Sequence, residues 1–152
     1  MDKVRNPCIA SLFMNNVQPK MVELQKQVVA KFNKSNIPHY QVLTEVNPGF
    51  TMDKLVDMLE KRGHDAIMFL DIDALPLTNN ALDYFFEQVY AGKVIGSAQR
   101  SNHIQNNQHV FAAPHNVTFT VDLYRKLGNP SFSPNYRGAV AEELTFKAEE
   151  SN

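Results

Sequence analysis

The chain has 152 residues, 43% of them hydrophobic and 20% charged, which suits one compact domain with a core that needs no metal or disulfide staples. Its 15 basic and 16 acidic residues give a formal net charge of −1 without a long run of either sign, so a general electrostatic grip on nucleic acid or an anionic membrane is not expected. Cys8 is the single cysteine. That rules out an intrachain disulfide or a cysteine-rich zinc site, and it reads as a small apolar residue at a strand start rather than a nucleophile. The first residues include Asp2, Lys3, Arg5 and Asn6 and no long apolar run, and no segment has the length of a membrane span. The expectation is a soluble, cytoplasmic protein, in which Asn116-Val117-Thr118 carries no weight as a glycosylation signal.

Residues 8–14 form a short apolar run that reads as a buried first strand. Pro19 suits the first turn of a helix whose apolar face is Met21, Leu24, Val28 and Phe32. Residues 40–46 read as a second strand ending at the turn signal Asn47-Pro48-Gly49. A helix follows with Thr51 as its expected cap and Asp53 in its first turn. Its inner face is Met52, Leu55, Val56 and Leu59, and Gly63 ends it.

Residues 66–70 are apolar without alternation, as in a strand covered on both faces. After Asp71-Ile72-Asp73 and a turn at Pro76, the residues Leu82, Phe85, Phe86 and Val89 mark a third helix, and 94–98 read as a fourth strand. The second half is less regular. Segments 110–113 and 117–120 read as short strands or extended loop, and 121–127 as a short helix stopped by Gly128-Asn129-Pro130. A polar loop over 131–138 then leads to a last helix facing inward through Ala141, Leu144, Thr145 and Ala148. Alternating strands and helices predict an α/β fold, a single domain over residues 1–152 with a mostly parallel, Rossmann-like sheet flanked by helices.

In such a sheet, ligands bind at the carboxyl ends of the strands. Asp71 and Asp73 sit at one of these ends, and on extended chain their side chains would point the same way. Taken alone they fit either a solvated turn or a metal-binding pair. The buried strand before them favours the pair, because two convergent carboxylates there repel each other unless a cation joins them. Oxygen ligands suit Mg²⁺ or Mn²⁺, which complete their shells with water and phosphate oxygens.

The segment Phe69-Leu70-Asp71-Ile72-Asp73-Ala74-Leu75-Pro76-Leu77 resembles the Asp-x-Asp (DXD) motif of nucleotide-sugar glycosyltransferases with the A-type (GT-A) fold. Two strand-helix units precede the motif, as in that family. The resemblance covers residues 9–98 well and 111–147 weakly. It implies a metal-dependent transferase for a nucleotide-diphosphate sugar, UDP being the commonest carrier, acting on an unknown acceptor. Phe13, Met14 and Asn15 would cradle the base and ribose, Glu45 would contact one of them, and Lys54 would reach a phosphate or remain a solvated helix lysine.

The resemblance further assigns Asp71 to the ribose or the metal, Asp73 to the metal, and His115 to a third metal position in preference to His109. Gln99, Arg100 and Ser101 would lie near the sugar or phosphates. Glu142 or Glu143 would act as general base on the acceptor, a role that a raised carboxylate pKa would favour. His39, His64 and His103 read as surface or turn residues. Family members are commonly longer, so the expectation is a minimal domain without the usual acceptor region, whose site a homo-oligomeric partner could complete. The competing readings are a phosphatase of the haloacid-dehalogenase type and a non-catalytic nucleotide-sugar-binding module.

Overall fold

The computed structural model describes residues 4–151. Strand β1 (Pro7–Phe13) pairs in parallel with β2 (His39–Leu43) on one side and β3 (Ala66–Phe69) on the other, and β3 pairs antiparallel with β6 (Thr118–Thr120). The sheet order is β2-β1-β3-β6. Parallel neighbours need long returns, and helices supply them: α1 (Pro19–Phe32) between β1 and β2, and α2 (Pro48–Lys61) between β2 and β3. The result is one α/β domain with a mostly parallel sheet flanked by helices, as the sequence predicts.

Strand alternation explains the unbroken apolar runs. Cys8, Ala10, Leu12, Ile67 and Phe69 join one core with Met52, Leu55, Val56 and Leu59 of α2. Ile9, Met68 and Leu70 join a second core with Val29 of α1 and with Leu82, Phe86 and Val89 of α3 (Ala81–Tyr90). Both faces are therefore covered, and every residue of β3 is buried. Burial pushes the Cys8 thiol up to about 12, helped by the nearby Asp65 charge, which keeps it a structural thiol.

Several local expectations are corrected. The buried face of α1 centres on Gln25 and Val29, whereas Met21 and Leu24 are exposed. Helix α2 is capped by Asn47, whose side chain accepts from the Gly49 N–H, and the Thr51 hydroxyl instead bonds Thr44, 2.7 Å away. Residues 94–98 do not form a fourth strand of the main sheet: Ile95 makes a single antiparallel bridge to Thr118. The chain then enters a separate antiparallel pair, β4 (Ala98–Arg100) with β5 (Val110–Ala112). At Gly96 the backbone passes so close to Ala112 that a Cβ would sit 2.9 Å from the alanine methyl. The short helix α4 (Val121–Lys126) is capped by Thr120, and α5 (Glu142–Glu150) follows the polar loop.

Gly49 packs directly against the backbone of the late polar loop. A Cβ there would lie 2.5 Å from the Phe132 carbonyl oxygen and 2.7 Å from the Ser133 Cα. Backbone on both sides leaves little room to yield. Asp53, one turn further along α2, accepts from the Phe132 N–H at 2.8 Å and from the Ser131 hydroxyl at 2.7 Å, holding the loop in place. Gly49→Ala is therefore expected to destabilise the fold by about 1–3 kcal/mol, read as a lower urea midpoint; an unchanged midpoint would refute this packing.

Candidate functional site

Because β1, β2 and β3 run parallel, their carboxyl ends lie together along one edge. Backbone bonds continue the alignment past the strands: Thr44 N–H donates to Phe13 O, and Leu70 N–H donates to Ala10 O. Asp71 N–H then donates to His115 O at 2.9 Å, bringing in the loop before β6 from the antiparallel side. Phe13, Met14, Asn15, Glu45, Asp71, Asp73 and His115 thus share one edge, although they come from four separate stretches of chain.

The Asp-x-Asp segment is not extended. Strand β3 stops at Phe69, residues 72–73 are in a turn, and Ala74 N–H closes it onto Asp71 O at 3.0 Å. The turn, rather than strand alternation, brings the two carboxylates near each other. Asp71 is half-buried and Asp73 exposed, and neither carboxylate accepts a hydrogen bond from the described residues. Burial pushes the Asp71 carboxyl above the usual aspartate range. The Asp73 charge adds to the rise, and the attraction of His115 offsets part of it.

Among the described residues, no group of three His, Cys, Asp or Glu side chains is close enough to hold a metal ion. Two unpartnered carboxylates in electrostatic contact nevertheless fit a hard cation that draws the rest of its shell from water and phosphate oxygens. His115 lies within electrostatic reach of Asp71.

The remaining nucleotide candidates are less convergent. Phe13 is half-buried, while Met14, Asn15 and Glu45 are exposed. Lys54 is exposed on α2 with its Nζ 4.3 Å above the Phe50 ring, and it makes no ion pair among the described residues. Arg100 is exposed, with its Nε donating to Asn107 O at 2.7 Å.

The late acidic pair has a different setting from that of a general base. Glu142 is fully buried and accepts from the Ser101 hydroxyl at 2.7 Å and the Ala139 N–H at 2.7 Å, with His109 Nδ1 2.6 Å away. Burial alone would raise its pKa, but these bonds outweigh it and hold the carboxyl below the usual range. Glu143 is held low mainly by Arg137, whose Nε and Nη2 grip both its oxygens at 2.9 and 2.5 Å, while Asn135 donates to it at 2.8 Å. The raised carboxylate pKa that would suit a general base is found at neither position. Ser101 is buried against Glu142 rather than open to a ligand.

These bonds build the wall of a cavity of about 750 Å³ lined by Gln99, His103, Pro114, Tyr136, Gly138 and Val140, among others. Pro114 precedes His115, so the cavity borders the Asp71 edge. Its described lining carries amides, aromatic and apolar groups and a histidine, without a Lys, Arg, Asp or Glu. Sequence reasoning missed it because loops distant in sequence form it.

Sequence reasoning also missed a buried polar network. Gln25 bonds Ser11, Gln41 and the Asp71 carbonyl, and Ser11 Oγ lies 2.9 Å from His39 Nε2. Burial, reinforced by Lys26, lowers the His39 pKa to about 4. His64 is also buried, 3.0 Å from the Tyr40 hydroxyl. Neither is the surface residue its sequence context suggests. The signal available in the sequence was a glutamine, Gln25, lying on the apolar face of the first helix four residues after Met21 and three before Val28.

The fold recurs in a solved structure. The crystal structure of A197 from STIV superposes with a TM-score of 0.62 over 94% of this chain and 78% of that one, at 14% identity. A cytidylyltransferase from Leptospira borgpetersenii serovar Hardjo-bovis aligns at a TM-score of 0.46 and 14% identity over 82% of this chain and 64% of that one, too remote a likeness to bear on function. No protein-family model matches the sequence, and no curated protein does.

The Asp71 shift has a stability consequence with a definite sign. A carboxyl whose pKa is raised by folding binds its proton more tightly in the folded chain, so stability falls as pH rises from the unfolded value, about 3.9, through the folded one. Without metal, Asp71→Asn is expected to raise Tm at pH 7 and to leave it nearly unchanged at pH 3. A lower Tm at pH 7 would mean that the ionised carboxylate is stabilised by a partner.

Proposed function

We propose that the chain is a metal-dependent glycosyltransferase that binds a nucleotide-diphosphate sugar, with UDP as the leading carrier, at the carboxyl edge of β1, β2 and β3. The observation that carries this reading is the pair Asp71 and Asp73: carboxylates with no hydrogen-bonding partner among the described residues, at the end of a fully buried strand. Glu142, Glu143 and Asp53, by contrast, are tied into the fold, while the exposed Glu45 is left to solvent. Burial and the nearby Asp73 charge disfavour the ionised Asp71, a cost that a bound cation would offset.

In this reading Asp71 and Asp73 hold Mn²⁺ or Mg²⁺, water and phosphate oxygens complete the shell, and His115 would have to move closer to join them as a third ligand. The ion's contribution when bound is to offset the charge that develops on the departing diphosphate. Phe13, Met14 and Asn15 would receive the base and ribose, Glu45 would reach one of them, and Lys54 and Arg100 would contact the phosphates. Lys54 has no ion-pair partner among the described residues to lose on turning towards a phosphate. The sugar and its acceptor would occupy the cavity beside Pro114, whose uncharged lining suits a neutral, hydroxyl-rich molecule.

One observation favours a second reading in which the donor is bound or hydrolysed without transfer. Glu142 and Glu143 are both engaged and held low, so neither stands ready as a base. In either reading they act as anchors of the cavity wall. A haloacid-dehalogenase phosphatase is disfavoured because that type carries its Asp-x-Asp on the first strand, whereas here it follows β3, third in chain order.

Calorimetric titration of UDP with and without Mn²⁺ tests the site. UDP is expected to bind more tightly with Mn²⁺, and Asp73→Ala is expected to remove that gain while leaving Tm close to wild type. Equal binding in all four combinations would refute the site. Release of UDP from a panel of UDP-sugars, with and without candidate acceptors, then separates transferase, hydrolase and binder.

A further inference from the structure

Gln25 occupies a position where an apolar residue would be simpler. It is 1% exposed on α1, one turn before buried Val29, and faces the sheet. An amide buried without partners is costly, so it is tolerated only when its bonds are made. Here they are made, and their direction is fixed by groups that only accept. The Asp71 carbonyl requires the Gln25 NH₂ to face it, at 2.9 Å, which turns Gln25 Oε1 towards Gln41. Gln41 in turn faces the Val22 carbonyl at 2.7 Å, so its NH₂ donates to Gln25 Oε1 at 2.9 Å. The second Gln25 hydrogen goes to Ser11 Oγ at 2.8 Å, which leaves the serine proton for His39 Nε2 at 2.9 Å. No other assignment satisfies every member.

The network ends where the sheet's own bonding ends. The last β1–β3 connection is Leu70 N–H to Ala10 O, and the next residue is Asp71. Its N–H is taken by His115 O, and its carbonyl by Ala74 N–H and by Gln25, which reaches across from a different layer of the fold. Without Gln25, the carbonyl side of Asp71 would be held by the turn alone.

We infer that Gln25 is a positioning residue for the metal–diphosphate site, fixing the Asp71-Ile72-Asp73 turn through the Asp71 carbonyl while touching neither metal nor nucleotide. This rests on the nucleotide–metal reading of that turn. Partners of this kind typically contribute 10- to 100-fold in metal affinity.

The test pairs Gln25→Met, which keeps the length and loses the donor, with Ser11→Ala, which disturbs the same network but leaves the bond to Asp71. Gln25→Leu, which also has no donor, serves beside Met in case one variant does not fold. Mn²⁺-dependent UDP affinity is expected to fall roughly tenfold or more in the Gln25 variants and to stay near wild type in Ser11→Ala. In the ligand-free protein, hydrogen exchange at the Ala74 amide is expected to accelerate in the Gln25 variants only. Wild-type UDP affinity and unchanged Ala74 exchange in both Gln25 variants would overturn the inference alone. A wild-type protein that binds no UDP with Mn²⁺ would overturn it together with the reading it rests on.

Discussion

Parallel pairing of β1 with a strand on each side is the constraint from which the rest of the molecule follows. Parallel strands cannot be joined by tight turns, so the chain returns through α1 and α2 and covers both faces of the sheet. The same pairing aligns three strand ends, so that Phe13, Thr44 and Leu70 finish along one edge. The antiparallel β6 adds the His115 loop to that edge from the opposite direction. Residues far apart in sequence are thereby gathered before any ligand is considered.

The acidic residues divide into two populations with opposite physics. Glu142, Glu143 and Asp53 are satisfied by backbone or side-chain donors and tie the later loops to one another and to α2. Gly138 contributes by closeness: a Cβ there would sit 3.2 Å from the Glu142 Cβ. Asp71 and Asp73 have no such donors among the described residues, and burial and mutual repulsion act on Asp71. Local destabilisation of this kind, held in place by a rigid frame, is what a binding site for a cation requires. Ala141, at φ 66° and buried, carries a further local strain at the start of α5, beside the cavity wall.

Much of the fold was legible in the sequence, for reasons that are local. The inner face of α2 follows from spacing alone, and β3 from an unbroken apolar run before a charged turn. What escaped is what depends on partners. The inward turn of α1 is set by Gln25, whose burial makes sense only with Ser11, Gln41 and Asp71 around it. Segment 94–98 is apolar enough for a strand but finds one bridge, because the chain leaves the sheet at Gly96 to form β4 and β5. At the site, Asp71 and Asp73 were evident from the motif and its strand. The engagement of Glu142 with Ser101 and His109 was not, since those partners lie 41 and 33 residues away.

The central claim concerns where a cation and a diphosphate meet this edge. Crystals grown with UDP and Mn²⁺ test it by anomalous scattering, which locates the metal without reference to any assumed chemistry. The account predicts one anomalous peak within coordination distance, about 2.0–2.3 Å, of carboxylate oxygens of Asp71 or Asp73, with the UDP phosphates on its other side. A UDP molecule bound elsewhere, or a metal peak held by other side chains, would contradict it.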